Sequence, residues 1–148
     1  MTGRQYATFE VDGQLFGLDV ANVQEVLSFP EYTPVPLAPP SIGGLFNLRG
    51  QVITAVDLRV QLGLPGRDLD GPAMNVIVRT PEGSVSLLVD RIGDVVELDD
   101  VDFEAPPDTL VGPCRDLITG AFKLDGRLLL ALDTARAVDT STAATPVE

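Results

Sequence analysis

Along the chain, short apolar runs are opened by glycine and closed by aspartate. The unit occurs four times: Asp12-Gly13-Gln14-Leu15-Phe16-Gly17-Leu18-Asp19, Arg49-Gly50-Gln51-Val52-Ile53-Thr54-Ala55-Val56-Asp57, Glu82-Gly83-Ser84-Val85-Ser86-Leu87-Leu88-Val89-Asp90 and Asp125-Gly126-Arg127-Leu128-Leu129-Leu130-Ala131-Leu132-Asp133. A turn dipeptide ahead of a strand-length run reads as a hairpin turn and its second strand. Runs of matching character precede three of the turns, at 6–11, 76–79 and 121–124. Two units on each side of residue 65 predict a duplicated, all-β architecture.

Three stretches break this pattern. Residues 63–72 are rich in Gly, Pro and charge, and mark a bridge between two lobes. Residues 30–44 hold five prolines, Pro30, Pro34, Pro36, Pro39 and Pro40. Proline cannot donate to a ladder, so this stretch is expected as an extended loop or edge. Behind Asp19 the period changes. Val20, Val23 and Leu27 fall at helical spacing, and Asp19 is a suitable N-cap for one short helical turn. The Ser/Thr/Ala-rich segment 139–148 is expected to be a disordered tail.

Composition removes most catalytic options. The 148 residues include no His and no Trp, and Cys114 is the only cysteine. Imidazole acid–base chemistry, Ser-His-Asp or Cys-His pairs, and His or multi-Cys zinc sites are therefore excluded within one chain. A single thiol forms no internal disulfide. Cys114 reads as a small apolar filler.

The charge of −12, from 22 acidic and 10 basic residues, opposes nucleic acid and anionic membrane surfaces. No signal-peptide core or membrane-spanning run is present, so a soluble, cytoplasmic chain is expected. The acidic run 97–104 lacks the mid-loop Gly and distal Glu of an EF-hand loop, and reads as a solvated acidic loop. Leu132-Asp133-Thr134-Ala135 is similar to the strand end of aspartic proteases. Those enzymes need two carboxylates and a Gly where Ala135 stands. Asp133 as the cap of a short terminal helix is the better reading, and a dimeric aspartyl hydrolase the distant alternative. No cofactor or metal site is indicated. These residues describe an acidic, β-rich binding module.

Residues 9–20, Val23-Gln24-Glu25-Val26, Thr33-Pro34-Val35-Pro36, Ile42-Gly43-Gly44-Leu45-Phe46-Asn47-Leu48-Arg49-Gly50, Val56-Asp57-Leu58-Arg59 and Leu88-Val89-Asp90 form a set of blocks. Together they resemble the CheW family of chemotaxis coupling proteins. Thr54 stands where the family often has Pro, and the acidic 94–108 segment departs from the family pattern. The resemblance implies a single domain over 1–138, built of two packed SH3-like five-stranded β-barrels with a shared apolar core and one or two short helices. Lobe one would span about 5–62, the bridge 63–72 and lobe two about 73–138.

It also implies a non-catalytic adaptor coupling methyl-accepting chemoreceptors to the CheA histidine kinase. The alternative is a coupler of a related pathway for pili or development. The chain would be recruited to membrane-associated receptor arrays without inserting in the bilayer. Val20, Val23, Glu25 and Arg49 match receptor-binding positions, with Val20 and Val23 expected on one helical face. Arg49 is alternatively an internal partner of Glu25 or Asp57. Thr33, Val35, Ile42, Gly43 and Gly44 match kinase-binding positions, so Gly44→Lys is expected to abolish kinase binding at an unchanged melting temperature.

Overall fold

The computed structural model describes residues 3–28, 33, 36–37, 42–64, 74–81, 83–110, 112–124 and 126–139. The strands are β1 (Gly3–Val11), β2 (Gln14–Asp19), β3 (Val23–Ser28), β4 (Ile42–Leu48), β5 (Gln51–Asp57), β6 (Met74–Thr80), β7 (Gly83–Val89), β8 (Arg91–Asp99), β9 (Ile118–Leu124) and β10 (Arg127–Leu132). Helix among these residues is confined to α1 (Leu58–Gln61), α2 (Gly112–Leu117), α3 (Thr134–Ala137) and two 3-10 turns, Val20–Asn22 and Asp100–Asp102. The molecule is all-β, as the Gly-led pattern predicts.

All four Gly-led units are second strands of hairpins: β1–β2, β4–β5, β6–β7 and β9–β10. At Asp12-Gly13 and Arg49-Gly50 both turn residues have positive φ (54° and 80°, 54° and 88°). That is the type I′ requirement, whose twist matches the flanking strands.

Strand order is β8-β1-β2-β10-β9 in one sheet and β3-β6-β7-β5-β4 in the other. The two orders are the same design used twice. A hairpin (β1–β2 or β6–β7) pairs antiparallel with a lone edge strand (β8 or β3) and parallel with a second hairpin (β10–β9 or β5–β4). The duplication is therefore real, but the expected lobes 5–62 and 73–138 are not the sheets. Each half of the chain lends its first hairpin to the other half's sheet. Short connections explain this. Asp90 alone separates β7 from β8, too little chain for a hairpin reversal, so β8 runs on into the other sheet. The 3-10 turn carries β2 into β3 in the same way. Of the expected bridge, residues 65–72 lie outside the described residues, as does the tail from 140.

Each sheet is rolled. Past β3, Thr33 pairs with Leu45 of β4 through two backbone hydrogen bonds of 2.7 and 2.9 Å. Past β8, Glu104 pairs with Ala121 of β9 at 2.8 and 2.9 Å. Opposite edges of a flat five-stranded sheet lie about 19 Å apart. The chain leaving one edge strand thus closes onto the other edge, which is consistent with SH3-like barrels.

Strand alternation then serves three cores. In β10, Leu129 and Ala131 join Tyr6, Leu15 and Phe122 inside the first barrel, while Leu130 and Leu132 face the second. In β6 and β7, Ile77 and Leu88 join Phe46, Ile53 and Ala55 inside the second barrel. Val76, Val78, Leu87 and Val89 meet Phe9, Phe16 and Leu18 in a core shared by both sheets. Strands covered on both faces read as continuous apolar runs, which explains Leu87-Leu88-Val89 and Leu128–Leu132 written without polar breaks.

The recurrent aspartates end strands and start turns. Asp19 accepts from the Ala21 amide at 2.9 Å, Asp57 from Arg59 at 3.0 Å and Asp133 from Arg136 at 3.1 Å. Asp90 does something different. Its carboxylate accepts from the Asp12 amide at 2.7 Å and from Arg59 Nε and Nη2 at 3.1 and 2.7 Å. Arg59 follows β5 and Asp12 follows β1, so this cluster ties the two barrels together.

The acidic run is only partly a loop: Glu97-Leu98-Asp99 belongs to β8, paired with Gly3-Arg4-Gln5. Beyond it, Phe103 packs on Phe122 with ring centroids 5.2 Å apart. Gly120 permits that approach. A Cβ there would lie 2.1 Å from Phe103 Cζ and 2.6 Å from the Glu104 carbonyl oxygen. Gly120→Ala must push this closing segment off β9, and overpacking of that kind costs about 2–3 kcal/mol. Thermal melting should show the loss, together with a weaker near-ultraviolet aromatic signal. An unchanged melting temperature would place the 103–104 segment elsewhere.

Candidate functional site

The β4–β5 turn places Arg49 at the surface. Asn47 Oδ1 accepts from the Gly50 amide at 2.9 Å and holds the turn shut. The Arg49 guanidinium donates two hydrogen bonds to the Glu25 carboxylate, at 2.5 Å from Nη1 and 2.9 Å from Nη2. Glu25 lies on β3 and Arg49 adjoins β4, opposite edges of one sheet, so the pair spans the seam where the barrel closes. Asp57 is not the partner of Arg49; it caps α1.

The pair is an outward-facing one. The Arg49 side chain is 68% exposed and that of Glu25 23%. Solvent screens such a pair, so it contributes little to folding. Its electrostatic mark is on ionisation. The Arg49 hydrogen bonds hold the Glu25 carboxyl below the usual carboxylate range, and Glu25 raises the Arg49 pKa. A carboxyl with a lowered folded-state pKa stabilises above its ordinary value, about 4.3. That contribution vanishes as pH falls through the folded-state value. A carboxyl-carbon NMR titration should therefore give Glu25 the lower midpoint in the wild type, returning to the ordinary range in Arg49→Ala. An unchanged midpoint would mean that the pair does not persist in solution.

Val20 and Val23 do not share a helical face. The helical turn stops at Asn22, and Val23 opens β3. Their spacing of three fits a helix, but valine is β-branched and the chain must enter a ladder with β6 at once. Both valines are half-buried, and Val23 packs against the shared core. Val20 lies on the crossing between the two sheets, and Glu25 follows Val23 on the same edge strand.

The other set of expected residues is brought together less completely. Thr33 is exposed, and its backbone is fixed by the bridge to Leu45. Ile42 is half-buried against the shared core. Val35 lies outside the described residues. Gly43 and Gly44 are not loop residues offered to a partner: both are buried in β4, which begins at Ile42 inside the stretch expected as loop. A register irregularity falls between Ile42 and Gly44, where Gly44 has φ 151°. A side chain there is strained and sealed in the fold, so Gly44→Lys should destabilise the protein and is no clean test of kinase binding.

Asp133 lines an open cleft of about 380 Å³ with Arg4, Tyr6, Asp19 and Asn22. Its carboxylate is the N-cap of α3, and Asp19 pairs with Arg4 at 3.5 Å while capping the 3-10 turn. Each carboxylate thus has its own structural partner, unlike the shared-proton dyad of a protease. Cys114 packs against the shared core, and burial raises its pKa, as an apolar filler requires. Sequence reasoning missed the Arg59–Asp90–Asp12 tie and the seat of Phe103 on Gly120. Neither had a sequence signal of its own: that Asp90 is the one recurrent aspartate without a helical turn behind it is visible only in the structure.

Two composite barrels around a shared core, with an exposed ion pair across one seam, define a small scaffold whose chemistry is on its surface. A CheW-like domain model matches residues 5–141, and the chain belongs to that family. It is 31% identical over 139 residues to the chemotaxis protein CheW of Thermotoga maritima, covering 91% of this chain and 87% of that protein. It is 27% identical to the CheW of Treponema pallidum, over 87% and 78% of the two chains. The scaffolding protein TtCheW of Thermoanaerobacter tengcongensis has the same fold, with a TM-score of 0.82 at 24% identity, over 100% of this chain and 96% of that one. The protein is accordingly a non-catalytic scaffold of chemotaxis signalling.

Proposed function

We propose that this scaffold couples chemoreceptors to a CheA-type histidine kinase in membrane-associated receptor arrays on the cytoplasmic side. The observation that carries the reading is the exposed Arg49–Glu25 pair beside half-buried Val20 and Val23. A receptor tip is a helical hairpin, and its partner needs an apolar strip with a few orienting polar groups. The planar Arg49 fork can exchange Glu25 for a receptor carboxylate or carbonyl at little loss to the fold. Thr33 and Ile42, with Val35 in the same loop sequence, supply the kinase face on the β4 side. Gly43 and Gly44 serve that face by shaping β4.

Isothermal titration of the protein with each isolated partner tests the proposal. Binding of the kinase regulatory domain and of a receptor cytoplasmic fragment, at separate sites and together, is expected. Failure to bind either partner would refute it.

A further inference from the structure

A register shift falls inside the candidate site. Val23 and Glu25 are two residues apart, and in a regular strand their side chains would share a face. In β3 they do not. Val23 pairs with Val78 and Glu25 with Ile77, neighbours on β6, so Gln24 is the extra residue of a β-bulge. Val78 lies in the shared core and Ile77 in the private core of the second barrel, so the bulge puts Val23 and Glu25 on opposite faces of the sheet. Val23 thereby packs against the shared core, while Glu25 turns to the seam where Arg49 stands.

Two side chains hold the bulge. Arg79 and Ser84 face each other across the β6–β7 ladder. Arg79 Nη1 donates to the Val23 carbonyl at 3.2 Å, just before the extra residue. Ser84 Oγ donates to Gln24 Oε1 at 2.8 Å, reaching from β7 past β6. The Arg49 hydrogen bonds are the main cause of the low Glu25 pKa, and a side-chain hydrogen bond with Gln24 adds to it. A run of bonds thus leads from Ser84 through Gln24 and Glu25 to Arg49.

We infer that Gln24 is a positioning residue for receptor recognition: its bulge turns Glu25 to the seam, and its bond to Ser84 fixes the direction in which Arg49 is offered. The inference rests on the coupling function proposed above and deepens it, naming what orients the pair instead of what touches the receptor. An exposed arginine on a turn has many rotamers to give up on binding. A Glu25 carboxylate held in one place keeps Arg49 in one of them, so less freedom is lost when the receptor docks.

The test uses Gln24→Ala, Ser84→Ala and Ser84→Thr, the last keeping the hydroxyl. Affinity for a receptor cytoplasmic fragment, affinity for the kinase regulatory domain, melting temperature and the Glu25 carboxyl midpoint are measured on the full chain. Receptor affinity should weaken about fivefold in both alanine variants, the effect of one neutral hydrogen bond, and return in Ser84→Thr. The Glu25 midpoint should rise in the same two variants. Kinase affinity should not move, and the melting temperature should stay within about 2 °C of wild type. In an Arg49→Ala background, Gln24→Ala should weaken receptor binding no further, because the group it positions is gone. Receptor affinity within about twofold of wild type in both alanine variants overturns the inference. So does a full additional loss in the Arg49→Ala background, which would make Gln24 a receptor contact in its own right. A lower melting temperature with both partners weakened alike also overturns it and leaves the bulge a purely structural device. A wild-type protein that binds no receptor removes the coupling function itself, whereas the inference alone falls when wild type and variants bind equally.

Discussion

Leu87→Ala should melt the whole molecule about 10 °C lower, in one transition. Leu87 is completely buried at the middle of β7, opposite Val56 of the parallel strand β5, in the core that both sheets share. Truncation there removes transfer free energy and leaves a cavity, at about 3 kcal/mol. For a domain of this size that corresponds to roughly 10 °C. The cooperativity follows from the exchanged hairpins. Neither barrel exists without a hairpin from the other half of the chain, so neither can persist when the shared core fails. Calorimetry and the aromatic signal of Tyr6, which lies in the private core of the first barrel, should report the same midpoint. Two separated transitions would contradict the composite architecture. Val52→Ala is the control, since Val52 is 63% exposed and its loss should be nearly silent.

Arg49→Glu should abolish receptor binding and leave kinase binding and folding in place. The substitution sets a second carboxylate against Glu25 and removes the guanidinium that is bonded to it. Because the wild-type pair is open to water, the melting temperature should stay within about 2 °C. Receptor affinity, in contrast, should weaken by at least about tenfold, the effect of losing a charge-assisted bidentate contact and placing a repulsive charge in its stead. Arg49→Ala should show the same loss in milder form. Equal weakening of both partners together with a destabilised fold would make Arg49 an internal strut.

The hairpins were legible because their signals are local. Asp12-Gly13 specifies its own turn whatever the strand later pairs with, and the caps at Asp19 and Asp133 need only the next few amides. Partner choice was not legible. The apolar faces of β1–β2 and β6–β7 have the same character, so the pattern alone cannot say which sheet receives which hairpin. The single-residue link at Asp90 holds that information, and it speaks only once β8 is known to be a strand. Val23 was misplaced because Val20, Val23 and Leu27 satisfy the helical period while Val23, Glu25 and Leu27 equally satisfy the strand period. Of the candidate sites, the Arg49–Glu25 pair was in view as one alternative, since opposite charges in matched family blocks can meet. The burial of Gly43 and Gly44 was hidden by the prolines before them, which extended the apparent loop into β4.

The most direct test of the coupling function is a reconstituted kinase assay. A CheA-type kinase and receptor cytoplasmic fragments assembled on vesicles are combined with and without this protein, and kinase autophosphorylation is followed. Kinase activity should come under receptor control only when the wild-type protein is present, and Arg49→Glu should fail to restore it. Receptor-independent kinase activity in the presence of the wild-type protein, with no kinase–protein–receptor complex on sedimentation, would contradict the account.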